Sequence, residues 1–399
     1  MFIRQNYRIY PDKAQTVVLN QWLGQARFIW NYMLAKNIEK YQQEQKFIFK
    51  FDMNNLLPDL KTEIDYVWLK EIPSQCLQQK CQDLDTALKS SFKSKINKKG
   101  FPKFKSRKSD ESGIRFPSFK FEGNRIVLPK MKKGVKIKLH RELLGKKGAI
   151  TLFKDKIGNF YVSILVELDD NFYPPLLSEI NSGVGIDVGL KEFAITSDAE
   201  IIANPKFYRT AEKQLKKLQR QHSKKQKGSN NKNKARIKLA KTYKQVTNKR
   251  TDFIKKTANS IVKNNDLIVV ETLNIQGMMK NHKLAKSIAD VSWYQFQQEL
   301  QWQCKKRGKW FTKINQWIPS SKTCNCCGHV KSDLTLSDRI YNCDNCGLSI
   351  DRDLNAAINI YREGLNKFNT AGTAEINACG VMNQSTDSAQ EALLLKGVR

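Results

Sequence analysis

The sequence has no apolar run near the roughly 20 residues that a membrane-spanning helix needs, and its first ten residues lack the apolar core of a secretory signal. It has only 20 glycines and 10 prolines among 399 residues, too few for a collagen-like or low-complexity chain. These absences exclude transmembrane and fibrous proteins. They predict an unexported, cytoplasmic protein without a membrane partner, long enough for two or three domains.

Acidic residues are scarce, because 38 Asp and Glu stand against 70 Lys and Arg, a net charge of +32. Residues 89–109, the first basic stripe, hold nine basic residues and no acid, and residues 206–250, the second basic stripe, hold seventeen and one acid. A stripe alone is often only a solvated surface, but a compact chain of this charge repels itself unless a polyanion neutralises it. The charge therefore predicts a nucleic acid partner. Phe92, Phe101 and Phe104 lie among the lysines of the first stripe and suit stacking on bases.

The N-terminal third shows helical patterns. Asp12 and Gln15 have the spacing of a capping box, and a helix is predicted to follow, with one buried face formed by Val18, Trp22, Ala26, Ile29 and Met33. A second helix is predicted after Ser74, with a buried face formed by Leu77, Cys81, Leu84, Leu88 and Phe92. Cys76 and Cys81 are interpreted as small core residues.

The pattern changes to short β-branched runs at 114–168, which predict a small β-barrel or sheet. Pro174-Pro175 and the polar residues 178–182 predict a linker. Beyond it, strands at 184–188, 192–196, 267–270 and near 311–317 alternate with helical segments, which predicts an α/β domain. The second basic stripe is predicted to form a helical hairpin broken at 228–231, and a last helix is predicted at 354–363.

Three acidic residues stand where a sheet would bring them together. Asp187 lies in an apolar strand, Glu271 ends the run Leu267-Ile268-Val269-Val270, and Asp353 opens the last helix. A carboxylate at such a place needs a hydrogen bond or a cation. Phosphodiester cleavage uses clustered carboxylates to hold two divalent ions, so the three residues are candidate magnesium ligands.

Each of these acids also has an ordinary structural interpretation. Asp187 suits a turn before Gly189, Glu271 a solvated strand end, and Asp353 a helix cap. Asp187 with Gly189 also occurs in the nucleotide-binding strands of actin-like kinases. Those folds need a second glycine-rich phosphate loop, and residues 267–364 contain none.

Nine cysteines are present, five of them within residues 324–346, which favours a metal site in a reducing compartment over disulfides. They include two C-x2-C pairs fifteen residues apart, Cys324 with Cys327 and Cys343 with Cys346. This spacing is typical of a zinc ribbon, and four sulfur ligands predict one structural zinc ion. Cys326 and His329 remain alternative ligands, and Cys304 and Cys379 are unassigned.

Together these residues resemble the TnpB (OrfB) family encoded by bacterial and archaeal insertion sequences. The matching segments cover about residues 1–365: Tyr7-Arg8-Ile9-Tyr10-Pro11 with the following helix, Gly100-Phe101-Pro102-Lys103-Phe104-Lys105, Gly185-Ile186-Asp187-Val188-Gly189, Val270-Glu271, Pro319-Ser320-Ser321-Lys322-Thr323-Cys324 and Asp351-Arg352-Asp353-Leu354-Asn355-Ala356-Ala357.

The resemblance implies a multidomain fold that combines α+β and α/β parts. A β-barrel wedge domain would occupy 1–11 and 111–180, interrupted by a helical recognition domain at 12–110. A RuvC-like, RNase H-type nuclease domain would occupy 181–317 and 351–365, with a zinc ribbon inserted at 318–350. The resemblance does not extend to residues 366–399, which are assigned as a C-terminal tail whose structure the sequence does not predict.

The resemblance also implies an RNA-guided DNA endonuclease related to compact type V CRISPR effectors. Its catalytic residues would be Asp187, Glu271 and Asp353, holding two Mg²⁺ ions, while Asp351 has no clear role. Its partners would be a guide RNA derived from the transposon end and double-stranded target DNA, in the cytoplasm and at the nucleoid of a bacterium or archaeon. The alternatives are an RNA-guided repressor that does not cut, and a DNA transposase.

Base pairing would read most of the target while the protein reads a short adjacent motif. The hydrogen-bonding side chains at 74–80 are candidates for this reading, namely Gln75, Gln78, Gln79 and Lys80. Further candidate nucleic acid contacts come from the two basic stripes, namely Lys103, Lys105, Lys224 and Lys225.

Overall fold

The computed structural model describes residues 1–92, 100–106, 113–335 and 337–378, with side chains to residue 369. The chain divides into two compact units, Met1–Phe172 and a second unit that begins at Tyr173. The boundary lies just before the predicted linker at Pro174-Pro175. The finer division of the chain into domains stays a prediction.

The first unit contains a seven-stranded sheet. Its strands are β1 (Phe2–Tyr10), β2 (Ile114–Phe116), β3 (Lys120–Glu122), β4 (Arg125–Val127), β5 (Val135–Lys138), β6 (Lys146–Lys154) and β7 (Phe160–Glu167). Their order is β2-β6-β7-β1-β5-β4-β3. All pairs in this sheet are antiparallel, and β1 pairs with β7 from Phe2 opposite Glu167 to Ile9 opposite Phe160. The sheet predicted over 114–168 is therefore present, and it takes β1 as a central strand.

The helices of this unit are α1 (Lys13–Glu44), α2 (Lys50–Thr62) and α3 (Ser74–Phe92), with a 3-10 helix at Ile64–Lys70. The predicted capping box is confirmed, because the Gln15 backbone N–H donates to Asp12 Oδ1 at 2.8 Å and the Asp12 N–H donates to Gln15 Oε1 at 3.1 Å. Cys76 and Cys81 are buried core residues, as predicted.

Two residues predicted on buried faces lie elsewhere. Phe92 is 51% exposed at the end of α3, and on α1 the buried position is taken by Leu19 instead of Val18. The helix α2 and the 3-10 helix were not predicted, and α2 contains Pro58.

The second unit contains a five-stranded mixed sheet. Its strands are β8 (Gly183–Val188), β9 (Glu192–Thr196), β10 (Ile201–Ala203), β11 (Leu267–Glu271) and β12 (Trp310–Ile314), in the order β10-β9-β8-β11-β12. Strand β11 is parallel to β8 and to β12, whereas β8, β9 and β10 pair antiparallel. A separate two-stranded sheet joins β13 (Ile340–Asn342) and β14 (Ser349–Asp351).

The helices of the second unit are α4 (Phe207–Ser223), α5 (Asn230–Asn264), α6 (Ile275–Met278), α7 (His282–Val291), α8 (Trp293–Arg307) and α9 (Arg352–Ala378). The predicted hairpin is formed by α4 and α5, and α5 continues beyond the second basic stripe to Asn264. Helix α9 is longer than the predicted 354–363. The C-terminal tail predicted at 366–399 therefore begins inside α9, and its remainder from residue 379, with Cys379, lies outside the described residues.

Strand β11 is covered on both faces. Ile268 and Val270 belong to the core that contains residues of α5 and α8, whereas Leu267 and Val269 pack with Ile360 of α9. Side chains alternate between the two faces of a strand, so α9 lies on one face of the sheet and α5 and α8 lie on the other.

Helix α9 approaches the sheet closely at two glycines. A Cβ atom at Gly185 of β8 would overlap the Ala357 carbonyl, and one at Gly364 of α9 would overlap Val269. These contacts hold α9 closely against β8 and β11. None of the helices described has the length and apolar character needed to cross a membrane.

Candidate metal centres

Asp187 and Glu271 lie side by side at the ends of two neighbouring parallel strands. In the register of β8 and β11, Ile186 is the partner of Val270, so Asp187 is next to Glu271. Gly185, two residues before Asp187, contacts α9, and Val269, two residues before Glu271, packs on the α9 side. Both carboxylates therefore face α9.

Asp353 is in the first turn of α9. The neighbouring Asp351 caps this helix, because its Oδ1 accepts from the N–H groups of Asp353 at 2.9 Å and Leu354 at 3.0 Å. The Asp353 side chain is 33% exposed, and Arg339 lies 3.9 Å from its Oδ2. The capping interpretation considered for Asp353 thus applies to Asp351.

The three acids interact electrostatically. Burial raises the pKa of Asp187 well above the ordinary range, and the nearby carboxylates of Glu271 and then Asp353 raise it further. The guanidinium of Arg352 opposes this shift. Oxygen ligands that repel each other in this way suit a hard divalent cation, which would relieve the repulsion. Among the described residues, the oxygens of the three carboxylates do not form a compact group of ligand atoms, unlike the cysteine sulfurs described below.

Glu271 is oriented by neighbours. The Ser320 hydroxyl donates a hydrogen bond to Glu271 Oε1. The buried Gln297 donates from Nε2 to the Glu271 carbonyl at 3.0 Å and accepts from Lys313 Nζ at 3.2 Å. The hydrogen bond from Ser320 holds one carboxylate oxygen of Glu271 and limits the rotation of this carboxylate.

Two asparagines of α9 hold the segment that carries Ser320. Asn359 Nδ2 donates to the carbonyls of Ser320 at 2.8 Å and Thr323 at 2.6 Å. The fully buried Asn355 donates to the Thr323 carbonyl at 2.7 Å and accepts from the Asn325 N–H at 3.0 Å. The same helix thus carries Asp353 and fixes the chain leading to the cysteine cluster.

Four cysteines form a second centre. The Sγ atoms of Cys324, Cys327, Cys343 and Cys346 all lie within 4.8 Å of one another. The Cys324–Cys346 and Cys327–Cys343 sulfur pairs are 3.6 and 3.5 Å apart. Sulfurs about 2.3 Å from a tetrahedral zinc ion would be about 3.8 Å from each other, so the arrangement fits zinc.

The two alternative ligands lie outside this group. Cys326 is exposed, and its backbone N–H donates to Cys324 Sγ at 3.4 Å. The His329 carbonyl accepts from the Cys324 N–H at 2.8 Å and from the Tyr341 hydroxyl at 3.1 Å. The Asn345 side chain and then the His329 N–H lower the pKa of Cys327 to about 6, which favours the thiolate form that binds metal.

The candidate motif-reading residues at the start of α3 have different environments. Gln75 and Gln78 are exposed. Gln79 is half-buried and accepts from Arg115 at 3.4 Å. Lys80 is buried and lies 2.9 Å from Asp83 Oδ2. Gln75 and Gln78 are thus accessible from solvent, whereas Lys80 is engaged in an ion pair.

Three of the four candidate lysines of the stripes are exposed, and Lys105 is half-buried. Lys103 is exposed, and Lys105 places its ammonium group 3.6 Å from the centre of the Trp30 ring. Lys224 and Lys225 are exposed at the end of α4. Residues 93–99 and 107–109 of the first stripe lie outside the described residues.

One basic residue of the second stripe has a structural role. Arg250 lies 3.0 Å from the buried Asp290, whose two oxygens each accept from the Tyr208 N–H at 3.0 Å. Asp290 of α7 therefore connects Arg250 of α5 to the backbone of Tyr208 at the start of α4.

The roles of Ser320, Arg352 and Asn355 were missed by the sequence reasoning. All three fall within segments that carry the family resemblance, but their partners are distant in the chain. Of these three residues, only Ser320 had a signal in the sequence, because its position near Cys324 indicated that it lies beside a metal centre.

Three family models match the chain. The model described as "Probable transposase" (OrfB_IS605) matches residues 163–282, and the model described as "Cas12f1-like, TNB domain" matches residues 293–360. A model described as "Helix-turn-helix domain" matches residues 1–46. This last stretch is described in full, and it forms β1 and the single helix α1 in place of two helices.

Similar proteins cover nearly the whole chain. Two of those that match nearly the whole chain carry the name "Putative RNA-guided DNA endonuclease". The one from Streptomyces pristinaespiralis is 34% identical and the match covers 90% of this chain and 88% of that protein. The other, InsQ of Escherichia coli K12, is 30% identical, with 95% and 94% covered. The structure titled "Cryo-EM structure of the Cas12f1-sgRNA-target DNA complex" shares the fold, with a TM-score of 0.52 and 16% identity over 88% of this chain and 83% of that chain.

Proposed function

The chain belongs to the TnpB (OrfB, IS605) family, and from this membership we propose that it is an RNA-guided DNA endonuclease. It would bind a guide RNA derived from the transposon end and cut double-stranded target DNA beside a short adjacent motif. The names of the two similar proteins described above support this activity.

The observation that carries the proposal is the proximity of three acids, two at the ends of neighbouring strands and one in the first turn of the helix that packs on them. Asp187 and Glu271 end neighbouring parallel strands, and Asp353 of α9 is close enough to raise the pKa of Asp187. A cluster of carboxylates without a cation destabilises the fold. Its presence therefore favours a catalytic role in a RuvC-like domain.

Asp187, Glu271 and Asp353 are proposed to hold two Mg²⁺ ions. When bound, such ions would supply an activated water and stabilise the leaving oxygen of the phosphodiester. Ser320 would hold one oxygen of Glu271 and leave the other for a ligand role. Asp351 would keep the start of α9 in place through its cap.

Cys324, Cys327, Cys343 and Cys346 are proposed to hold one zinc ion of structural role. Four sulfur ligands close its coordination shell. Asn355 links the first cysteine pair to the helix that carries Asp353, so an intact zinc site would stabilise the position of that acid.

The exposed basic residues of α4 and α5 are proposed to contact the phosphates of guide RNA or DNA. Phosphate contacts give affinity without sequence preference. This suits a protein in which base pairing reads the target and the exposed Gln75 and Gln78 are candidates for reading the adjacent motif.

The test is to purify the protein with its copurifying RNA and incubate it with Mg²⁺ and DNA that matches or does not match this RNA. We expect double-strand cleavage of the matched DNA only. Stable retention of uncut matched DNA would instead indicate a repressor. Joining of transposon ends without guide RNA would indicate a transposase.

A further inference from the structure

Trp317 is the most exposed tryptophan of the chain. Its exposed fraction is 81%, and the next highest, Trp68, is 36% exposed. Large aromatic side chains are usually mostly covered, because they bury much apolar area. An indole held in water at a defined place is therefore a candidate contact for a ligand.

The loop that carries Trp317 has both ends beside Glu271. It starts after Ile314, which is the register partner of Glu271 on β12. It ends at Ser320, whose hydroxyl donates to the Glu271 carboxylate. Trp317 is three residues from each end, and three residues span at most about 10 Å. The backbone of Trp317 therefore lies within about 10 Å of both residues that flank Glu271.

Hydrogen bonds fix the shape of this loop. The Trp317 N–H donates to Asn315 Oδ1 at 3.1 Å, and the Ile318 N–H donates to the Asn315 carbonyl at 3.2 Å. The Asn359 amide holds the Ser320 carbonyl from the other side. A preformed loop loses little conformational entropy when it binds a ligand.

We propose that Trp317 stacks on a base of the DNA strand that enters the carboxylate site, next to the phosphodiester that is cut. The inference rests on the proposed nuclease function. Every base has a π face, so stacking holds a single strand without selecting its sequence. This property suits an enzyme that leaves sequence reading to its guide RNA.

The experiment measures single-turnover cleavage by the complete protein–RNA complex. The substrate is a DNA duplex whose target strand matches the guide RNA. In that region its two DNA strands are not complementary to each other, so the duplex is already open. The variants are Trp317→Phe, which keeps a ring, and Trp317→Leu, which keeps only apolar bulk. Gln316→Ala, at an exposed position in the same loop, is the matched control. Because Trp317 is exposed, these variants are expected to fold normally.

We expect Trp317→Leu to cut about ten-fold more slowly, Trp317→Phe to retain most of the rate, and Gln316→Ala to match the wild type. One abasic position near the cut should slow the wild type by a similar factor and should not slow Trp317→Leu further. Equal cleavage rates for Trp317→Leu and wild type would overturn the stacking role alone. So would an abasic position that, wherever it is placed, slows Trp317→Leu by the same factor as it slows the wild type. A wild-type complex that cuts no matched DNA would overturn both this role and the proposed function.

Discussion

Asp187 lies in an apolar strand beside two other acids, so its charge costs free energy when no cation is bound. We expect Asp187→Asn to raise the free energy of unfolding by about 1 kcal/mol at neutral pH while abolishing cleavage. Urea denaturation in magnesium-free buffer, without a chelator that would remove zinc, measures the first effect.

The pH dependence of this gain has a definite sign. The pKa of Asp187 is raised in the folded chain. The free-energy cost of its negative charge is therefore absent below the ordinary aspartate pKa of about 3.9 and complete above the raised pKa of the folded chain. The stability gap between variant and wild type should therefore grow with rising pH. Asp198→Asn, at an exposed turn of the same unit, should show no such gap, and a less stable Asp187→Asn variant would contradict the account.

Ser320 is expected to matter through Glu271. Ser320→Ala removes a hydrogen bond to a charged group, a change that typically costs about 1.5 kcal/mol or more. Cleavage should slow about ten-fold, with a higher Mg²⁺ concentration needed for half-maximal rate, and Ser320→Thr should recover most activity. Ser321→Ala is the neighbouring control, and a Ser320→Ala variant with an unchanged Mg²⁺ requirement would refute the positioning role.

At the residue scale, the sequence predicted the acidic residues of the site but not the side chains that hold the neighbouring chain in position. Asp187, Glu271 and Asp353 were identified as a candidate set because each stands at the end of a strand or the start of a helix. The hydroxyl of Ser320 and the amide of Asn355 carry no such local sign. Their partners, Glu271 and Thr323, are distant in sequence and become neighbours only through the packing of α9 on the sheet.

At the scale of elements, the zinc ribbon offers a test with a built-in control. Cys343→Ser should lower zinc content from about one equivalent per chain and reduce the free energy of unfolding by about 3 kcal/mol. Cys326→Ser, which removes an exposed thiol outside the sulfur group, should change neither. Metal analysis and urea denaturation measure the two effects, and unchanged zinc in Cys343→Ser would exclude this ligand set.

Helix α9 shows why the limits of an element are harder to predict than its presence. The helix was predicted to end at Glu363, just before Gly364, a residue type that often marks a helix terminus. Instead α9 passes over β11 at this residue, where a side chain would overlap Val269. The glycine serves a close approach between helix and sheet, which is a tertiary requirement invisible to local pattern.

At the scale of the whole molecule, the net charge of +32 predicts strong salt dependence of nucleic acid binding. Replacing Lys224 and Lys225 by Gln should weaken binding of the copurified RNA and reduce the slope of log affinity against log salt by about 1 to 2. The charge-matched control replaces Lys36 and Lys40, which pair with Glu39 and Glu44 on α1. Equal slopes for the two variants would exclude a specific role of the second basic stripe.

Composition and spacing predicted the α/β character of the second unit, the helical hairpin and the cysteine cluster, because each depends on local pattern. The order of the strands did not follow from local pattern. In the first unit β1 lies between β5 and β7, which follow it by more than a hundred residues. Such pairings are set by long-range packing and leave little trace in a single sequence.

The most direct test of the account compares wild type with Asp187→Ala in Mg²⁺-dependent cleavage and in binding of the same guide-matched DNA. We predict that Asp187→Ala loses cleavage completely and binds the DNA with an affinity within about two-fold of wild type, because the basic stripes supply most of the binding free energy. Cleavage by Asp187→Ala at the wild-type rate would contradict the assignment of the three carboxylates as the catalytic centre.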